Sequence, residues 1–307
     1  MFNNLKPTPS CIISDNNLSR TANVANMFRI PWVVFDGMSC FTQLVTHNLC
    51  ASKIHEKLTD FDTFVLPGLS DNISMMKSQL PGLCNLGSSV KGKELKSIRE
   101  RIREMELGAY GMLINSFDEL ETRYVDEFKK IKQGRVWCIG PLSNSNKSDL
   151  DRAQRGSKIQ STMMFIELAL GLEDSKYSFI LVMKGGSRTE EIEKWLDEGE
   201  FESRVKGRGV LIHGWASQVL ILSYRAKGAF LTHCGWNSTI EGVCAGVPMI
   251  TWPQFAEQSF NERLVVQVLG IGVGVGAQRV MYLEDEDDGV MQVEREDVCK
   301  AVMIVMD

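Results

Sequence analysis

Residues 228–269 constrain this chain more than any other stretch, because short apolar runs and helix starts alternate there. Gly228–Thr232 (GAFLT) reads as a buried parallel strand. It breaks at His233-Cys234-Gly235-Trp236-Asn237-Ser238, and a helix is predicted from there through about Ala245. Gly246-Val247-Pro248 ends that helix, Met249-Ile250-Thr251 predicts a second buried strand, and Glu257–Leu269 the next helix. A strand, a polar turn and a helix N-terminus form a ready anion site, since free backbone N–H groups and the helix dipole point at the ligand. Asn237 and Ser238 fall where the helix opens, so their side chains can cap it or donate to a phosphate. Glu241 lies four residues after Asn237 and shares its helix face. A carboxylate is repelled by a diphosphate, so Glu241 better serves as acceptor for a neutral diol such as a ribose. These residue types suit a nucleotide sugar.

The longer segment Trp215–Gln258 (WASQVLILSYRAKGAFLTHCGWNSTIEGVCAGVPMITWPQFAEQ) resembles the signature box of the plant secondary-product UDP-glycosyltransferases at nearly every defining position. The resemblance implies that Trp215 stacks on uracil and that Gln218 contacts the nucleoside. It assigns the diphosphate to His233, Asn237 and Ser238 with the backbone near Trp236, the ribose hydroxyls to Glu241, and the sugar hydroxyls to Glu257 and Gln258. Gln258 at the last position is the residue type associated with glucose as donor sugar. Two positions depart from the pattern: Ser217 stands where proline is usual, and Tyr224 where histidine is usual. Neither is a donor contact in the family, so modest effects on local rigidity are expected.

Taken singly, each residue has a plainer reading. Trp215 is an ordinary rim or core indole, and Glu241 an ordinary helix residue. His233 beside Cys234 suggests a metal pair, yet no second Cys/His pair lies at ligand spacing, so no zinc is expected. The joint spacing is what carries the nucleotide-sugar reading.

Composition excludes other classes. A chain of 307 residues, 44% hydrophobic, supports two modest cores. A net charge of −5 with no basic face argues against nucleic acid. The eight cysteines are scattered without a CxxC, the opening MFNNLKPTPS is polar, and no apolar run is long enough to span a membrane. A reduced, soluble, cytoplasmic protein, monomeric, is expected.

The N-terminal third extends the resemblance. Pro9–Asp15 predicts a buried strand ending on an acid, followed by a helix near Ser19–Phe28, a strand at Pro31–Phe35 and a long amphipathic helix at Ser39–Leu58. Ligands of open parallel sheets gather at the carboxyl ends of strands, where Asp15 falls. On its own Asp15 reads as a turn or helix-capping acid. By resemblance it is the acid that orients and charges a catalytic histidine, which takes the proton from the acceptor hydroxyl. Similar text follows in VLPGLSDNI, ELGAYGMLINSFDELETRYVDEF and GRVWCIGPLS, with Val136–Pro141 as the last strand of that domain.

Three family features lack a counterpart. The four histidines, His47, His55, His213 and His233, do not match the catalytic position, and the opening βα units look short. Ser161–Leu172 is helix-like, but no strand precedes it where the family has a central strand ending in a phosphate-contacting Ser/Gly loop. Arg295–Asp307 reads as an unfinished helix. A truncated or mis-spliced member is expected.

Other features have simpler explanations. Gly270–Gly276 (GIGVGVG) imitates a dinucleotide loop but alternates Gly with aliphatics, and predicts a Gly-rich strand. Lys184-Gly185-Gly186-Ser187 reads as a βα loop, Glu284–Asp288 as a solvated acidic loop, and Gly92–Glu106 as an exposed charged helix. Met163, Met164 and Ile166 read as core.

The expected architecture is α/β, with two Rossmann-like domains facing a cleft (the GT-B glycosyltransferase type). It is incomplete at the N-terminus, in the first strand of the C-terminal domain and at the C-terminus. Residues 1–142 form an acceptor-binding domain, 143–158 a linker and 159–307 a UDP-sugar-binding domain. The implied reaction moves glucose from UDP-glucose to a hydroxyl of a small lipophilic plant metabolite with inversion, with no cofactor and no metal. Two rivals stand beside it: a non-catalytic remnant that binds UDP or a partner protein, and a nicotinamide oxidoreductase built on the Gly270 strand.

Overall fold

A computed structural model describes residues 9–18, 20–81, 84, 100–145, 162–183, 189–279 and 293–307. The segments read as an acidic loop at 284–288 and a βα loop at 184–187 lie outside these residues, as do 146–158 of the expected linker and 92–99 of the charged helix. The chain divides into two compact units, Met1–Asn144 and Ser145–Asp307.

The first unit is built on a four-stranded parallel sheet in the order β1-β2-β5-β6, from β1 (Ile12–Asp15), β2 (Trp32–Asp36), β5 (Gly111–Ile114) and β6 (Val136–Cys138). An antiparallel pair, β3 (Thr63–Val65) and β4 (Ser74–Met76), stands apart from it. β2 is central and alternates buried with half-buried residues. β1 was expected to be buried; as an edge strand it leaves Ile13 57% exposed. The Trp32 indole N–H donates to Ser14 Oγ at 2.9 Å and ties the edge to its neighbour. Helix α1 (Arg20–Phe28) turns Ala22 and Ala25 into the core with Val34, Ile114, Val125 and Phe128.

Helix α2 (Cys40–Ser52) starts on Ser39, whose hydroxyl accepts from Thr42 N–H. The single helix expected over Ser39–Leu58 is broken, because Lys53 adopts a left-handed conformation (φ 54°) and its N–H closes on Leu49 O. A 3₁₀ turn, Ile54–Lys57, follows. The Glu121 carboxylate caps the same end of α2, accepting from Cys40 N–H at 3.0 Å, Phe41 N–H at 2.7 Å and the Ser116 hydroxyl. Helix α3 (Thr122–Ile131) begins directly after it.

In the second unit, α4 (Thr162–Ser175) packs along α10 (Arg295–Met306), so the two helices nearest its ends in sequence share one core. Phe165, Leu168 and Ala169 of α4 meet Val298, Ala301 and Val302 of α10. Gly171 lets the helices approach, since a Cβ there would lie 2.6 Å from Val298 Cβ and 2.7 Å from Arg295 O. β7 (Phe179–Met183) leads to α5 (Thr189–Glu198), α6 (Phe201–Arg204) and β8 (Gly209–His213), which pairs parallel with β7. Arg204 clasps Glu173 at the end of α4 through two 2.9 Å bonds. Then come α7 (Gln218–Ser223), β9 (Phe230–Thr232), α8 (Trp236–Cys244), β10 (Met249–Thr251), α9 (Gln258–Arg263) and β11 (Gly272–Gly274).

The predicted strands at 228–232 and 249–251 are both present and parallel, though β9 is only partly buried. The helix expected over Glu257–Leu269 continues past α9 as a π-helical turn, Leu264–Val268. The Gly270 stretch does form a strand, β11, beside β10. Among the described residues the strands of this unit form two separate sheets, β7-β8 and β9-β10-β11.

Candidate functional site

The carboxyl ends of β8, β9 and β10 carry nine of the ten residues singled out by sequence, all within the second unit. Trp215 follows β8, just after Gly214 (φ 96°), and is 38% exposed. Gln218 opens α7. Its amide donates to Glu241 Oε2 at 2.8 Å and to Ser238 Oγ at 3.2 Å, so three of the predicted residues from two helices form one hydrogen-bonded set. Glu241 is 5% exposed, and Gln218 engages the carboxylate expected to meet a diol.

The turn between β9 and α8 is unusual. Cys234 holds a left-handed conformation (φ 64°), which a non-glycine residue keeps only when its surroundings fix it. Two bonds do so: Cys234 N–H donates to Thr232 Oγ1 at 3.2 Å, and buried Asn261 Nδ2 donates to Cys234 O at 2.9 Å. His233 folds over Gly235, two residues on, its Nε2 lying 2.4 Å from where a Cβ there would stand. A side chain at 235 would force that ring to move. Burial lowers the His233 pKa from 6.5 to about 4, so the imidazole is neutral at pH 7.

Gly235 caps α8 without a side-chain bond. The first-turn N–H groups, beginning with Trp236, lack acceptors within the helix. Trp236 is buried and Asn237 exposed. Gln258 is buried at the start of α9, and its Oε1 accepts from Gln254 N–H at 2.9 Å and Phe255 N–H at 3.1 Å. Glu257 precedes it, half-buried.

A cavity of about 970 Å³ opens beside these residues, with His233, Gln218, Ser238 and Gln254 among its polar lining. Arg208, Lys227 and Thr232 line it too, and its apolar lining includes Met164, which also packs against the core as expected; Met163 is exposed.

Asp15, the tenth residue, ends β1 in the first unit. Its Oδ1 accepts from Asn17 N–H at 2.8 Å and Asn17 Nδ2 at 2.9 Å, which is the turn-forming role open to it from sequence. Asp36, at the same end of β2, was missed. It is 1% exposed and accepts from Asn16 Nδ2 at 2.7 Å and Gln43 Nε2 at 2.6 Å. Asn261 was also missed; its only sequence signal is its place four residues after Glu257, on one face of α9. Among the described residues no three His, Cys, Asp or Glu gather as a metal site, and no helix is long and apolar enough to cross a membrane.

Comparison with known proteins decides the family. The model for UDP-glucoronosyl and UDP-glucosyl transferase matches residues 195–305. UDP-glycosyltransferase 73C3 of Arabidopsis thaliana is 40% identical over 337 positions, covering all of this chain and 67% of its own length. The chain belongs to the UDP-glycosyltransferase family. UDP-glycosyltransferase 73C25 of Barbarea vulgaris matches equally well, at 40% over 338 positions. The crystal structure of Glycyrrhiza uralensis UGT73P12, complexed with glycyrrhetinic acid 3-O-monoglucuronide, superposes with a TM-score of 0.87 at 35% identity. It covers 97% of this chain and 65% of that one. Medicago truncatula UGT71G1, complexed with UDP-glucose, shares the GT-B fold at a TM-score of 0.73 and 23% identity. The chain thus spans about two thirds of the length of these relatives. The 337 matched positions exceed its 307 residues by 30, so 30 positions inside the matched region are unfilled.

Proposed function

We propose that the second unit binds UDP-glucose and that the protein transfers glucose to a hydroxyl of a small lipophilic metabolite, with inversion at the anomeric carbon. The observation that carries this reading is the Gln218–Ser238–Glu241 hydrogen-bonded set beside a neutral, buried His233 at the carboxyl ends of β8 and β9. Trp215 stacks on uracil. Gln218 contacts the nucleoside, and Glu241 shares its carboxylate between Gln218 and the ribose hydroxyls. His233, Asn237, Ser238 and the N–H of Trp236 surround the diphosphate, whose charge the start of α8 favours. Glu257 accepts from sugar hydroxyls. Gln258 spends its oxygen on the Gln254–Phe255 turn, so its amide N–H₂ is the end that meets the sugar.

In the reaction the acceptor oxygen attacks the anomeric carbon opposite UDP. The bond to the diphosphate breaks with its electron pair, and the hydroxyl proton passes to a base. By resemblance Asp15 matches the acid that orients that base, a histidine in the family; His47, within α2, and His55, in the 3₁₀ turn, do not match its position. General-base assistance is worth about 10²–10⁴-fold. The Glycyrrhiza relative, solved with a 3-O-glucuronide, supports a lipophilic acceptor glycosylated on oxygen.

Isothermal titration tests the donor site. UDP and UDP-glucose should bind and NADH should not. Trp215→Ala should weaken UDP by about 1–3 kcal/mol through lost stacking. Equal affinity of wild type and variant, or NADH competing with UDP, would overturn the assignment.

A further inference from the structure

The carboxyl end of the first unit's sheet brings together two cysteines that stand 98 residues apart in the chain. Register across the sheet sets Asp36 of β2 beside Ile114 of β5, and Ile114 beside Cys138, the last residue of β6. After Asp36 the chain turns, and Cys40 opens α2. The Cys40 and Cys138 sulfurs then lie 3.9 Å apart, in hydrogen-bond contact. A disulfide holds its sulfurs at about 2.05 Å, so a movement of about 2 Å converts the contact into a bond.

The two thiols are unlike. Cys40 is fully buried in the core with Val34, Met112 and Ile114, and its backbone N–H is fixed by Glu121 Oε1 at 3.0 Å. Its thiol stays protonated, because the hydrogen bond with Cys138, burial and the Glu121 carboxylate all raise its pKa. Cys138 is partly exposed and ends the last strand of the sheet order. A small oxidant arriving from solvent meets Cys138 first, with Cys40 in contact behind it. Thiols that respond to oxidants combine such access with a second cysteine that resolves the oxidised sulfur. Plain packing also explains the contact, but it predicts no reaction between the two sulfurs.

We propose that Cys40 and Cys138 form an intramolecular disulfide on exposure to hydrogen peroxide, a reversible modification that fastens the start of α2 to the end of β6. Cys138 Sγ attacks one peroxide oxygen, the O–O bond breaks, and the departing hydroxide leaves as water with the thiol proton. Cys40 Sγ then attacks Cys138 Sγ, the S–O bond breaks, and a second water carries off the Cys40 proton. The two thiols give up two electrons, and the peroxide that takes them becomes two waters. A dithiol reductant reverses the bond by exchange. Because the bond joins residues 98 apart, it restricts the unfolded chain and should stabilise the first unit. The pair lies in the first unit, so the proposal does not depend on the donor-site reading.

The test is peptide mapping by mass spectrometry of the full chain, reduced and then treated with limiting hydrogen peroxide, with and without dimedone to trap sulfenic acid. Wild type should yield a peptide linking Cys40 to Cys138 that dithiothreitol removes. Cys40→Ser should leave Cys138 unresolved, so that its dimedone adduct rises roughly fivefold or more over wild type. Cys138→Ser should leave buried Cys40 unmodified. Oxidised wild type should unfold at a higher urea concentration than reduced wild type, and Cys138→Ser should show no such rise. Three results overturn the proposal: no linked peptide at a dose that modifies the exposed Cys11 and Cys244, a linked peptide that forms only after unfolding, or equal urea midpoints for the oxidised and reduced protein. The wild-type map decides the matter even if Cys40→Ser fails to fold.

Discussion

His233 should make the second unit sensitive to mild acid. Burial holds its pKa at about 4 in the folded protein against 6.5 ordinarily. Above pH 6.5 the ring is neutral in both states and contributes no pH dependence. As the pH falls from 6.5 towards 4, the unfolded chain takes up a proton that the folded one refuses, and stability drops. The drop is complete near pH 4. Each tenfold change in proton affinity is worth about 1.4 kcal/mol, so the window corresponds to roughly 3 kcal/mol. Carboxylates titrate in the same range, so the assay must be a difference. Urea unfolding of wild type and His233→Gln, measured at intervals from pH 7.5 to 4, should give curves that diverge by roughly that amount, with wild type the more acid-labile. The ring proton signal assigned through the same variant should titrate near 4 without ligand. A saturating diphosphate ligand should move it upward, because an adjacent negative charge favours the imidazolium. Parallel stability curves, or a free-protein titration at 6.5, would refute the argument that the ring is desolvated over Gly235.

Three further outcomes are expected. Gly171→Ala gains about 1 kcal/mol of helix propensity but drives a methyl into Val298 and the Arg295 carbonyl; overpacking of about 1–3 kcal/mol should prevail, and a raised urea midpoint would show that α4 and α10 are less tightly apposed. Asn261→Ala removes the donor that fixes the Cys234 carbonyl, and should cost about 1–3 kcal/mol while weakening UDP binding, although Asn261 is given no contact with UDP. Calorimetry that finds UDP affinity unchanged would separate the turn from the donor site. Glu121→Gln turns a donor towards one of three groups that the carboxylate accepts from, and should destabilise the first unit by about 1–3 kcal/mol, read by thermal unfolding.

The elements around the site were legible because each is set by local chemistry. GAFLT and MIT are apolar runs bounded by turns, and Gly246-Val247-Pro248 stops α8 where expected. The alternating glycines of 270–276 proved to be strand, since a partner strand rather than a loop surrounds them. What failed depended on conformation at single residues or on neighbours. Nothing in Lys53 announces a left-handed turn that splits the helix expected to reach Leu58. Whether Ile12–Asp15 is central or edge is a matter of strand order, which no four-residue string contains. Candidate donor residues could be named from the resemblance, but the Gln218–Glu241 bond joins residues 23 apart and exists only once α7 and α8 are packed. Asn261 and Asp36 went unnoticed because a buried amide and a buried acid look like surface residues until the fold encloses them.

The pairing of α4 with α10 also has a consequence in time. Glu167 of α4 accepts from the N–H of Arg295, 128 residues later in the chain. At about 5–20 residues per second, a ribosome needs roughly 6–26 s to make that interval. During it Phe165, Leu168 and Ala169 have no Val298, Ala301 or Val302 to meet. The second unit therefore cannot close its core as it is made. It waits, with an apolar helix face uncovered, until residues 295–302 are made, and a holding chaperone would have its greatest effect on yield in that interval.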